Sequence, residues 1–121
     1  MKAACFITFL FLALGVLADE VFKKDVLPVL RKHCFKCHGA EKQKGKLRLD
    51  TLSLNFDRGK AAERWHDALN QLNLGEMPPE DAPQLTDVER RTLTGWLTAR
   101  LKAAAAARRS TGGQGAMRRL T

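Results

Sequence analysis

Cysteine and histidine are scarce in this chain, with three of each among 121 residues. That scarcity narrows the metal chemistry available. Structural zinc takes four ligands, usually as two spaced pairs, and no H-x3-5-H pair follows Cys34 and Cys37. Long apolar runs are also missing. The stretch Phe6 to Leu17 is twelve residues, short of the roughly 20 that carry a helix across a bilayer. No internal repeat is visible, and strand-like alternation is weak. No set of catalytic acid, base and nucleophile stands out. Acids are absent from Lys102 onward, where five basic residues remain, so residues 19–101 hold 15 basic against 13 acidic side chains. The net charge of +8 is therefore mostly a tail effect, and nucleic-acid binding is not inferred from it.

The N-terminus has the pattern of a secretory signal. Lys2 supplies the positive start, Phe6 to Leu17 the apolar run, and Val16-Leu17-Ala18 small residues for cleavage before Asp19-Glu20. Cys5 precedes the apolar run, so it is not placed as a lipidation site and leaves with the signal. The expected division is a signal peptide over residues 1–18, a domain over 19–102, and a helix extension with a flexible basic tail over 103–121. The mature chain of 103 residues makes one small domain with a modest core. Export places it in the periplasm or an equivalent extracytoplasmic compartment.

Against this background five residues carry most of the chemistry: Cys34-Phe35-Lys36-Cys37-His38. This is the C-x-x-C-H attachment signature of c-type haem. Two intervening residues make a turn that aims both sulfurs one way, for thioether bonds to the two vinyl groups. His38 follows at once and can offer its imidazole to the iron. Three other readings stay open: half of a zinc site, a redox dithiol, or a structural disulfide in an exported chain.

Around the motif the chain reads as helical. Val26, Val29, Leu30 and His33 recur at helical spacing over Asp25–Cys34, and Pro28 places the start near Asp25, since proline is tolerated in a first turn. Residues 41–48 are strongly basic, and the stretch Leu47 to Phe56 that follows has neither a clean helical nor a clean strand period and reads as a packed loop with at most short regular pieces. Ala61, Trp65, Ala68, Leu69 and Leu72 make one face of a helix that Gly75 ends. Thr86 with Glu89 forms a capping box for a last helix, whose inner stripe is Leu93, Trp96, Leu97 and Leu101 and which Ala103 to Ala107 extend. The fold expected is all-α, a small helical domain wrapped around one covalently attached haem.

Met77 is the candidate for the iron's other face. It lies 39 residues after His38, between Gly75 and Pro78-Pro79. The prolines stiffen the segment that presents its thioether. A plain core methionine is the alternative. His66 competes as a sixth ligand. His33 is too close to Cys34 to reach the iron, and Met117 lies in the tail. Trp65 and Trp96 can pack on the haem or serve as core.

Taken together these residues resemble class I cytochromes c, and most closely the planctomycete-type cytochrome c domain. The resemblance rests on Cys34 to Gly39, Lys42-Gln43-Lys44-Gly45-Lys46, Leu47-Arg48-Leu49-Asp50-Thr51, Trp65, Gly75 to Pro79, and Trp96-Leu97. It covers roughly residues 21–101. It implies Cys34 and Cys37 as thioether sites, His38 as proximal ligand and Met77 as distal ligand. One departure stands out. Many relatives have a proline carbonyl orienting the proximal histidine where Asp50 falls here, so another backbone carbonyl is expected to do so.

The function expected is an electron carrier rather than an enzyme. It would shuttle single electrons through a His/Met-ligated iron of one haem c, as a monomer. Arg31, Lys32, Lys36, Lys42, Lys44 and Lys46 flank the motif and would steer it to an acidic redox partner. Weak contact of the basic tail with an anionic membrane surface is the other partner considered. The alternatives are an open-site haem sensor or peroxidase-like protein, a thiol–disulfide oxidoreductase on Cys34 and Cys37, and a haem module feeding a fused or bound oxidoreductase.

Overall fold

The structure, a computed structural model, describes residues 16–57 and 59–112. Most of the expected signal segment, Cys5, Met117 and the end of the basic tail lie outside the described residues. Among the described residues the domain is carried by α1 (Leu27–His33), α2 (Lys60–Leu74) and α3 (Asp87–Gly112). No strand occurs among the described residues. A lone antiparallel bridge pairs His38 with Gln43. The all-α expectation holds.

The first helix does not begin near Asp25. Residues 16–21 are already helical and run into a π-helical stretch, Phe22–Val26, that joins α1 directly. Pro28 is the reason the joint takes this form. In a regular helix its ring would press on the carbonyl four residues back, and it has no N–H to give. The wider π turn relieves that, with the Leu27 amide donating to Phe22 O.

The core gathers one face from each helix. Val26 and Leu30 from the first, Trp65 and Leu69 from α2, and Leu93 and Leu97 from α3 are all buried. Residues 47–57 cross between them without regular structure and stay pinned. Leu49 and Phe56 are buried, and the Trp65 indole donates to Ser53 O at 2.9 Å. Phe56 stacks on Trp65 at 6.0 Å and meets Trp96 edge-on at 5.5 Å. Phe22 tilts against Trp96 at 5.0 Å. The Arg108 guanidinium donates to Phe56 O and Asp57 O. Arg108 and Arg109 thus belong to α3 rather than to a loose tail.

Both expected helix boundaries around the last connection are built as capping rules require. Gly75 is left-handed (φ 75°, ψ 12°). Its amide donates to Leu72 O and that of Glu76 to Gln71 O, which is the Schellman pattern. At α3 the Thr86 amide donates to Glu89 Oε2 at 2.9 Å, and the Glu89 amide to Thr86 Oγ1 at 3.1 Å.

Candidate haem-binding site

The C-x-x-C-H run forms one tight turn off the end of α1. Cys34 closes α1 with its amide on Leu30 O at 2.8 Å. The amides of Cys37 and His38 then both donate to Cys34 O, at 3.2 and 2.9 Å. The chain doubles back at once, with Lys44 N on Cys37 O, Gly39 N on Lys42 O and Leu49 N on His38 O. The motif is therefore clamped from both ends by backbone bonds. Gly39 matters to this clamp. A Cβ at that position would fall on the Phe35 carbonyl oxygen, well inside contact distance.

The turn opens onto a cavity of about 330 Å3 whose walls are almost wholly apolar. Cys34, Cys37 and His38 line one part of it, and Met77, Pro78 and Pro79 another. Leucines from every helix fill in between, among them Leu30, Leu72 and Leu93. The four residues expected to hold the cofactor thus share one cavity, although His38 and Met77 are far apart in the chain. Met77 is 37 % exposed, so it is not a core filler. Its amide leans on Gln71 O at 3.4 Å, which ties the residue to the end of α2.

The other candidates are placed elsewhere or engaged. His66 lines a separate concavity with Phe56, Asp57 and Arg108 and is not among the residues lining the first. His33 does reach the first cavity, but both its ring nitrogens face acceptors. Nε2 lies 3.0 Å from Glu89 Oε2 and Nδ1 lies 3.3 Å from Pro83 O. Trp65 lines the cavity, whereas Trp96 is spent on Phe22, Phe56 and Arg100.

Electrostatics favour thiol chemistry over thiolate chemistry. Burial pushes the Cys34 thiol up to about 11, and neighbouring Cys37 adds to that. A redox dithiol needs the opposite shift, because the thiolate is the nucleophile. Both cysteines are free. No group of three or more His, Cys, Asp or Glu side chains converges as a metal site among the described residues.

One expectation at His38 is not met. Its Nδ1 is buried and has no hydrogen-bond partner, so no backbone carbonyl orients the ring. The carbonyls near Asp50 do not reach it. His38 O, not its ring, is the atom that ties this residue to the following loop, through Leu49 N at 2.9 Å. The His38 imidazole and two unpaired thiols on one apolar cavity are the donor set that a covalently attached haem uses. The residues present fit that group.

The all-α domain thus carries this motif on one wall of an apolar cavity and a Met-Pro-Pro segment on another. The family model described as planctomycete cytochrome C matches residues 34–81, which is the family the motifs resemble. The matched segment runs from the first thiol past Met77 and stops before α3. No curated protein and no solved structure matches the chain. The family match supports a haem-binding, electron-transferring domain.

Proposed function

We propose that the chain is an exported monohaem c-type cytochrome that passes single electrons between redox partners. The observation that carries this is the meeting of the C-x-x-C-H turn and Met77 on one apolar cavity. When bound, the haem supplies one-electron exchange at iron. Cys34 and Cys37 would hold it through thioethers to its two vinyl groups. His38 would give the iron a nitrogen and Met77 a sulfur, a pair that raises the reduction potential. The leucine walls exclude water, which keeps the surroundings nearly unchanged between the two charge states.

The partner surface is proposed as the basic loop at the cavity edge. Lys36, Lys42, Lys44 and Lys46 are exposed, and Lys44 also lines the cavity. An acidic oxidase, reductase or dehydrogenase face would be steered to it. Lys32 contributes less, because its ammonium is held by Glu89 at 2.8 Å. The N-terminal signal pattern supports export, where thioether attachment of haem takes place.

The test is a visible spectrum of protein made in a host that matures c-type haem, with a haem stain on a denaturing gel. Haem surviving denaturation, with the weak long-wavelength band of iron–methionine ligation in the oxidised sample, is the expected result. Met77→Ala should abolish that band and let the reduced protein bind carbon monoxide. A wild type that already lacks the band and binds carbon monoxide would move the reading to an open-site haem protein. No retained haem would remove the cytochrome reading.

A further inference from the structure

The segment that presents Met77 has few backbone donors to hold it. Pro78 and Pro79 carry no N–H, so neither can donate a backbone hydrogen bond. Their carbonyls also lack helix or strand partners; Pro79 O takes one backbone bond, from Ala82 N at 2.9 Å. Upstream, Met77 is tied to α2 only through Gln71 O. Downstream, a single side-chain atom gathers the strap. Gln84 Nε2 lies 2.8 Å from Pro79 O, 3.0 Å from Ala82 O and 3.3 Å from Pro78 O. Three carbonyl acceptors around one atom assign it as the amide nitrogen. It has two hydrogens, so the longest contact shares one of them.

We propose that Gln84 is the positioning residue for the distal ligand, clamping the Met77-Pro78-Pro79 strap against the cavity. The inference rests on the reading that Met77 ligates the iron. A thioether is neutral, so no charge holds it to the metal, and its residence depends on how little freedom the strap has to lose. Gln84 is well placed to restrict that freedom. Its neighbour Leu85 is buried and lines the cavity. On its other side Pro83 O meets the His33 ring. The clamp thus stands on backbone fixed at both sides. The Gln84 side chain itself is exposed, so in its absence water can reach the freed carbonyls. Losing it should loosen the strap while changing the core little.

The experiment uses the haem-loaded protein as wild type, Gln84→Ala, Gln84→Lys and Met77→Ala. Urea titrations follow two signals, the iron–methionine band of the oxidised protein and far-UV circular dichroism. Carbon monoxide affinity of the reduced protein is the third readout. In Gln84→Ala the band should bleach at clearly lower urea than the dichroism transition, and carbon monoxide should bind about tenfold more tightly, the scale of one to two lost hydrogen bonds. Gln84→Lys keeps N–H donors and should recover part of both effects. An unchanged band and carbon monoxide affinity in Gln84→Ala would overturn the proposal. So would a band and dichroism transition that shift together, which is what a merely structural glutamine gives. A wild type without the band, matching Met77→Ala, would instead overturn the ligand reading and this inference with it.

Discussion

Two glycines should respond to alanine with opposite signs, and the contrast tests how the haem motif is built. Gly39 is buried and a Cβ there would overlap the Phe35 carbonyl oxygen. That atom belongs to the backbone of the C-x-x-C turn, so no rotamer change can clear it. Either the turn opens or the Gly39 amide gives up Lys42 O, now at 2.8 Å. Overpacking of this kind costs about 3 kcal/mol. Gly95 lies on the exposed side of α3 with nothing near its Cβ position, so alanine there should add up to about 1 kcal/mol through helix propensity alone. For a domain of this size the first change lowers the melting temperature by roughly 10 °C or more, and the second raises it by about 4 °C. Thermal melts of the haem-loaded proteins measure both. The same Gly39→Ala protein should carry less haem per chain on a stained denaturing gel, because the displaced atom belongs to the backbone that joins the two cysteines. Equal melting temperature and equal haem content in Gly39→Ala would refute the account of the turn.

The ion cluster joining α1 to α3 makes a pH prediction. The Lys32 ammonium, then the Thr86 amide, with a further contribution from His33, holds the Glu89 carboxyl down at about 2, against an ordinary 4.5. A depressed folded value means stability present above pH 4.5 and lost as pH falls toward 2. The stability difference between wild type and Glu89→Gln, from denaturant melts, should therefore shrink across that window; a constant difference would contradict the assignment. Trp65→Phe keeps the stacking on Phe56 but strands Ser53 O, and should cost about 2 kcal/mol in the same assay. If Lys36, Lys42, Lys44 and Lys46 steer an acidic partner, the rate of electron transfer should fall as salt rises and the Debye length shortens from about 10 Å at 0.1 M. A flat salt response would remove that surface from the argument.

What could be read in the sequence was local. The C-x-x-C-H turn, the Gly75 stop and the Thr86–Glu89 box each lie within a few residues, and local chemistry decides such features wherever they occur. The place of Met77 outside the helices was legible for a related reason, since a methionine between a glycine and two prolines has no helical face to fill. The start of the first helix was not legible. Pro28 reads as a first-turn residue, and only the π turn over Phe22–Val26, stabilised by Phe22 on Trp96, carries the helix past it. Gln84 gave no signal at all. An exposed glutamine in a loop is ordinary until three carbonyls are seen to converge on it.

The division follows from sequence separation. Residues three to five apart meet through backbone geometry, so the chain by itself determined the C-x-x-C-H turn, the helix caps and the all-α character. Contacts across fifty residues depend on how the helices pack. Only the tertiary structure decided that His38 and Met77 share one cavity, that Glu89 faces Lys32 and His33, and that His66 stands on another surface. It also decided that the His38 ring is left without a carbonyl partner. Whether an acceptor reaches a buried nitrogen is set by displacements of about 1 Å, beyond what residue type and spacing encode.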